Sequence, residues 1–123
     1  MINRRPLRSS HEERAYDCYD FVRRICGMLS SDPVTDDWWI KPQYGQDVDY
    51  ITAEHRDYSV RVVFQFYVSG WCYVDAYFTN GAFYDRRTVH SWDWERKSLE
   101  ENLDEVALVL DTFFDNYIDK LRD

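Results

Sequence analysis

Histidine and cysteine are the side chains that most often carry acid–base, nucleophilic or metal chemistry. The three histidines are far apart in the sequence, and none stands at ligand spacing from another; they are His11, His55 and His90. His55 near Asp57 and His90 near Asp93 are pairs of a kind that is common beside surface turns. We therefore expect neither a metal site nor a catalytic histidine.

The three cysteines also argue against catalysis. Cys18, Cys26 and Cys72 lack CxxC spacing, and all three fall at positions predicted for the core. A reactive thiolate needs an electropositive, partly exposed setting, so reduced, buried thiols are expected instead. The sequence contains no zinc-protease, phosphate-loop, dinucleotide or nucleophile-elbow motif. These absences predict a protein that is not an enzyme and that holds no cofactor.

Aromatic residues are the unusual part of the composition. They make up 18% of the 123 residues, and a core of this size cannot bury them all. Exposed aromatic clusters mark interaction sites, so binding is the better expectation. The chain length allows one domain, which we place at residues 10–123, behind a flexible basic arm at residues 1–9 with Arg4, Arg5 and Arg8.

The net charge of −8 further restricts the partner. A negative protein repels nucleic acid and anionic membrane, so a basic protein is the expected partner. No apolar run follows the N-terminal arginines, and no stretch approaches the roughly 20 apolar residues that span a bilayer. The sequence therefore predicts a soluble, cytoplasmic protein without direct contact to nucleic acid or membrane.

Two helices are predicted, one at each end of the domain. Ser10 and Glu13 fit a capping box, and the helix behind them ends before Pro33. Ser98 and Glu101 form a second capping box, whose helix is expected to run to about Leu121. Residues recurring at helical spacing give each helix an apolar stripe. Those of the first are Ala15, Cys18, Tyr19, Val22, Ile25, Cys26 and Leu29; those of the second are Leu99, Leu103, Val106, Leu110, Phe113, Tyr117 and Leu121.

Between the helices the pattern changes to that of strands. We predict a loop over residues 32–47, in which one ring of Trp38-Trp39 packs on the core and the other lies outside. Strands are predicted at residues 48–54, 58–68, 71–79 and 82–89, followed by a connector with Trp92 and Trp94. The expected fold is an α+β two-layer sandwich of order α-β-β-β-β-α, with an antiparallel meander of three to four strands and both helices on one face.

The alternation of side chains predicts which residues share a face of the sheet. A three-residue loop at residues 69–71 pairs Phe66 with Val74 and Phe64 with Ala76, so that one face is wholly apolar. A two-residue turn at Asn80-Gly81 then pairs Tyr77 with Tyr84 and Asp75 with Arg86 on the other face. Gln65 is also expected beside Asp75 there.

Two surfaces are candidates for partner binding. The first is the sheet face away from the helices, which we expect to present Tyr67, Trp71, Tyr73, Tyr77 and Tyr84. It could bind a partner, form a homodimer or be covered by the chain itself. The second is an uncompensated acidic ridge on the C-terminal helix, where carboxylates repeat at i,i+4 spacing. Its candidate residues are Glu101, Asp104, Glu105, Asp111, Asp115 and Asp119.

These features favour a non-catalytic acidic protein that blocks or sequesters a basic protein partner. Inhibitors and immunity proteins directed against nucleases or toxins have this general character, in which carboxylates steer the encounter and aromatics prolong it. The alternatives are a dimeric secretion-type chaperone that holds an effector segment, and a nucleic-acid mimic. The element order resembles that of double-stranded RNA-binding domains, but the Lys-rich start of their second helix is replaced here by Arg96, Lys97 and then acids.

Overall fold

The computed structural model describes residues 11–29, 38–55, 60–80 and 83–115. Two helices flank five strands, which pair in chain order as one antiparallel sheet. The elements are α1 (His11–Leu29), β1 (Trp38–Gln43), β2 (Val48–His55), β3 (Val60–Tyr67), β4 (Trp71–Asn80), β5 (Phe83–Asp93) and α2 (Leu99–Asp115). The α+β sandwich is confirmed, but the meander has five strands and not three or four.

The additional strand is β1, which lies within the segment predicted as a loop. Pro42 stands opposite Ile51 at the edge of the sheet, where a missing N–H group is tolerated. Strand alternation buries Trp38 and leaves Trp39 62% exposed, which confirms that one ring of the pair packs on the core and the other lies outside. The prediction of a loop was wrong because Pro and Lys suit an edge strand as well as a loop.

The core lies between the inward face of the sheet and both helices. Phe64, Phe66 and Phe78 alternate along β3 and β4 and are almost completely buried. From α1, the ring of Phe21 meets Phe64 and Phe66 edge-on at centroid distances of 6.2 and 6.3 Å. From α2, Phe114 lies 6.2 Å from Trp38. The two helices thus form a second layer and leave the other face of the sheet uncovered by them.

The β3–β4 hairpin differs from the prediction by two residues. Its loop is formed by residues 68–70, and Phe66 pairs with Cys72 instead of Val74. Because the shift is an even number, every side chain keeps its predicted face. Gly70 fixes this register, since it closes the loop with a φ of 109°, a conformation that favours glycine.

The β4–β5 pairing is shifted in the same way. Asn80 lies opposite Phe83, so the strands are connected by residues 81–82, which are outside the described part, and not by the predicted Asn80-Gly81 turn. Tyr77 therefore pairs with Arg86 instead of Tyr84. The register changes between Val74 and Asp75, where β5 carries an extra residue. Beyond this bulge β5 continues to Asp93, so Trp92 is a buried strand residue and not part of a connector.

Both helices bury the predicted stripes as far as they are described. The second capping box is confirmed: the Glu101 amide donates to Ser98 Oγ (3.1 Å), and Glu101 Oε1 accepts from the Ser98 amide (2.9 Å). The first capping box, the basic arm and residues 116–123, including Tyr117 and Leu121, lie outside the described residues. Neither of the two described helices is long and apolar enough to cross a membrane.

The ion pair between Arg14 and Asp49 is buried between α1 and the sheet. Arg14 of α1 and Asp49 of β2 are nearly inaccessible to solvent, and Arg14 Nη1 donates to Asp49 Oδ2 at 2.8 Å. The second guanidinium nitrogen donates to the carbonyl oxygen of Phe66, and the Gly45 amide donates to the other carboxylate oxygen of Asp49. Side-chain periodicity did not identify this pair. It ties α1 to the β2–β3 end of the sheet.

Candidate interaction surfaces

The sheet face turned away from the helices is called the open face below. The predicted residues Tyr67, Trp71, Tyr73, Tyr77 and Tyr84 all project from it, because they occupy alternate positions on β3, β4 and β5. Trp39 and Tyr50 extend this set onto β1 and β2, and both are exposed. Tyr50 could have been found from the two-residue period of β2, whereas Trp39 required knowing that β1 is a strand.

The rings of the open face form two groups. In one, Trp71 and Tyr73 are nearly parallel at a centroid distance of 6.4 Å, and Tyr67 stands edge-on to Tyr73 at 5.7 Å. In the other, Tyr84 lies 6.4 Å from Tyr77. The guanidinium carbons of Arg61 and Arg86 lie 4.6 and 5.7 Å from the centre of the Tyr77 ring. Arginine stacking on this ring was not foreseen from the sequence.

A buried carboxylate lies between the two groups. Asp75 is 2% exposed and accepts from Gln65 Nε2 and Thr88 Oγ1, both at 2.6 Å, with Arg86 Nη2 at 3.7 Å. The predicted neighbours Gln65 and Arg86 are therefore present, but as diagonal partners because of the register shift. The Tyr67 hydroxyl donates to Gln65 Oε1 at 3.2 Å and extends the network. These residues line an open concavity of about 440 Å³, and their hydrogen bonds fix its polar side chains in position.

Near the start of α2 three acids have partners, and two of them, Glu101 and Glu105, belong to the predicted acidic ridge, so this part of the ridge is not uncompensated. Glu100 Oε1 accepts a hydrogen bond from Arg24 Nη1 at 2.7 Å, and this bond lowers the pKa of the Glu100 carboxyl. Glu101 caps the helix, and hydrogen bonds from Ser98 lower the pKa of its carboxyl. Glu105 Oε1 accepts from Lys97 Nζ at 3.2 Å. The capping box had predicted the contact of Glu101 with Ser98, but the sequence did not indicate Arg24 or Lys97 as partners, because both lie outside α2.

The remaining acids form a stripe along the exposed side of α2. Asp104, Asp111 and Asp115 lie at i, i+7 and i+11, and Leu108 at i+4 is 64% exposed between them. These four residues are called the acidic stripe below. Asp111 and Asp115 take part in no ion pair within the described residues, and Asp119 lies outside them.

The three cysteines are buried, and His90 is held by a hydrogen bond. Burial raises the pKa of Cys26 and of Cys72 to about 12, and burial also raises the pKa of Cys18, so the thiols stay protonated near neutral pH. Asn102 Nδ2 donates to the carbonyl of Ser98, so its Oδ1 accepts from His90 Nε2 at 2.9 Å. Among the described residues, no group of three or more His, Cys, Asp or Glu side chains could hold a metal ion.

Comparison with protein-family models, with curated proteins and with solved structures yields no match. The function is therefore inferred from the two surfaces just described. One is the aromatic open face with its fixed polar centre, and the other is the acidic stripe. They lie on opposite layers of the sandwich and differ in charge.

Proposed function

We propose that this protein is a non-catalytic acidic binding protein that blocks or sequesters a basic protein partner, as inhibitors and immunity proteins do. One observation carries the proposal. Helix α2 contains six acidic residues and no basic one, and three carboxylates of its acidic stripe surround the exposed Leu108. The partner surface would be an apolar patch surrounded by Lys or Arg.

The two kinds of side chain in the stripe would have different roles. Leu108 would be the apolar anchor, since burial of an exposed aliphatic side chain at the centre of a contact supplies much of its free energy. Asp104, Asp111 and Asp115 would steer a basic partner and fix its orientation. The like-charged pair Asp111–Asp115 costs the free helix a little stability, and a cationic partner would remove that cost.

The cysteines and His90 support a non-catalytic role. Protonated, buried thiols are poor nucleophiles, and His90 is held by a hydrogen bond to Asn102. A dimeric secretion-type chaperone is less well supported, because such proteins place a helix after the third strand. Here β3 and β4 are joined by residues 68–70 alone. A cytoplasmic setting stays part of the proposal, and nucleic-acid mimicry is a variant of it in which the carboxylates replace phosphates.

The test is affinity capture from the native host lysate with the full chain and with the variant Asp111→Lys/Asp115→Lys. We expect the native chain to capture a basic protein that high salt releases, because exposed charges are screened. The variant should bind the captured and purified protein at least about tenfold more weakly, with a flatter salt dependence.

The matched control is Asp20→Lys/Asp47→Lys, which changes the net charge equally but lies outside both the stripe and the open face. It should retain most of the affinity, and circular dichroism should show all variants folded. Equal binding by the stripe variant and the native chain would exclude the stripe as the contact surface. Capture of no basic protein by the native chain would contradict the proposed function itself.

A further inference from the structure

Negative charge is concentrated on the helical layer and not on the open face of the sheet. Within the described residues, α1 carries four acids and three arginines and α2 carries six acids alone. The open face carries equal numbers of each sign: Lys41, Arg61 and Arg86 against Glu54, Asp75 and Asp93. The repulsion expected between two chains of charge −8 is therefore concentrated on the helical side.

Two copies can meet through their open faces without bringing the acidic helices together. Packed sheets lie about 10 Å apart, and a helix layer adds roughly 10 Å on each outer side. The α2 helices of the two copies would then be separated by about 30 Å, several times the Debye length of about 8 Å at physiological salt. Mutual repulsion of the helices would be largely screened at that distance.

The open face is also complementary to itself. The strand pairing places Tyr67, Trp71 and Asp93 in one row across β3, β4 and β5. It places Arg61, Tyr77 and Arg86 in a second row, six residues further along β3 and β4. A two-fold axis in the plane between the sheets, perpendicular to the strands and midway between these rows, exchanges the rows of the two copies.

Each contact made by this exchange is favourable. Arg61 would face Tyr67 of the second copy as a cation–π pair, and Tyr77 would face Trp71 as a stacked aromatic pair. Arg86 would face Asp93 as an ion pair. Because the operation is two-fold, every contact occurs twice, as in other isologous interfaces.

The available area is close to that of a stable dimer. Five strands about 4.8 Å apart, with outward side chains repeating every 6.8 Å or so, cover roughly 650 Å² before side-chain relief is counted. A standard interface buries about 800 Å² on each partner. Trp71 and Tyr84, which are 47% and 59% exposed, would supply much of the apolar part.

We propose that the open face is the two-fold interface of a homodimer, in which the row Tyr67–Trp71–Asp93 of one copy meets the row Arg61–Tyr77–Arg86 of the other. The acidic stripes then point outward on both sides of the dimer and stay free. The interface is independent of the proposed function, since the two use opposite layers.

The first experiment is sedimentation equilibrium over the micromolar range. We expect twice the chain mass of 15.0 kDa for the native protein and the monomer mass for Trp71→Lys and for Tyr77→Lys. Leu108→Lys, on the acidic stripe, is the matched control and should stay dimeric. A monomeric native protein, or a dimer in both open-face variants, would overturn the proposal.

The second experiment tests the axis. Arg86→Asp and Asp93→Arg should each weaken the dimer at least about tenfold, and the double variant should recover it. Circular dichroism checks that both single variants fold, because the Asp93 carboxylate also accepts from the Glu95 amide and Arg86 Nη2 lies 3.7 Å from the buried Asp75. If either single variant does not fold, the axis is tested with the Arg61–Tyr67 contact instead. Arg61→Asp should then weaken the dimer, and Arg61→Asp/Tyr67→Arg should recover it. Failure of a folded double variant to recover the dimer refutes this axis.

Discussion

Arg14 and Asp49 show how one residue pair can determine where a helix docks. The two groups are desolvated together, and their attraction offsets that cost only while both are present. Arg14 Nε has no hydrogen-bond partner among the described residues, so the guanidinium is held by its two other nitrogens. The pair therefore costs desolvation energy and, in return, fixes the position of α1.

Removal of one partner should be far more harmful than removal of both. Asp49→Ala leaves a buried guanidinium without a counter-ion, and we expect a loss of about 3–5 kcal/mol in the free energy of unfolding. The double variant Arg14→Met/Asp49→Leu should be closer to the native protein than either single variant. Urea denaturation followed by circular dichroism measures both changes.

The matched control is the exposed ion pair between Arg23 and Asp20 on α1, where Arg23→Met should cost less than about 1 kcal/mol. Equal losses in Asp49→Ala and Arg23→Met would show that the buried pair is not an essential contact. Additive losses in the double variant would show that Arg14 and Asp49 are not coupled.

At the scale of the element, the capping box of α2 can be tested through pH. Hydrogen bonds from Ser98 lower the pKa of Glu101 below its ordinary value of 4.5, so the folded state binds this proton less readily than the unfolded state. The stabilisation is therefore present above that value and is lost as pH falls through the lowered pKa. Glu101→Gln should flatten the decline of stability in this acidic window.

Ser98→Ala should lower the free energy of unfolding by about 1 kcal/mol at neutral pH, as other N-cap losses do. Thermal unfolding between pH 3 and pH 7 compares the variants with Thr112→Ala, an exposed substitution inside the same helix. An unchanged pH profile in Glu101→Gln would contradict the reciprocal hydrogen bonds of the cap.

The elements that the sequence predicted well are those with local signals. The Ser98 cap, the helix stripes and the two faces of β3 and β4 follow from spacing alone, and an error of two residues in register leaves the faces intact. The strand β1 was missed because Pro42 and nearby polar residues are typical of loops. Arg24 was missed as the partner of Glu100 because a pair 76 residues apart leaves no periodic pattern, and Lys97 was missed as the partner of Glu105 because it precedes the helix.

The candidate surfaces show the same limit. The tyrosines of the open face were predicted from alternation, which is a local property. The stacking of Arg61 on Tyr77 and the burial of Asp75 depend on which strands become neighbours and in which register. The acidic ridge was predicted from its composition, but only the folded chain shows that Lys97 pairs with its Glu105 and that Arg24 pairs with the neighbouring Glu100.

For the whole molecule, the segregation of charge predicts a response to salt. Repulsion within α2 and between the helices should make added salt stabilising, because screening removes like-charge energy while the buried Arg14–Asp49 pair is little affected. We expect Asp111→Asn/Asp115→Asn to raise the free energy of unfolding by a few tenths of a kcal/mol at low salt.

Chemical denaturation of the native protein and of this variant at low and high salt measures the effect. The difference between them should vanish at high salt. Thr112→Ala, an exposed and uncharged position on α2, serves as a neutral control. A lower stability of the native protein in salt would show that attractive surface pairs, and not repulsion, dominate its electrostatics.

The meander has a consequence for the order in which the chain folds. Every strand pairs with its neighbour in sequence, so the contact order of the sheet is low and loop closure costs little entropy. Helix α1 is the exception, because its partners Asp49, Phe66 and Glu100 lie 35, 52 and 76 residues away. We therefore expect the strands to assemble hairpin by hairpin as a nucleus, and docking of α1, although it is synthesised before the strands, to be a late step of folding.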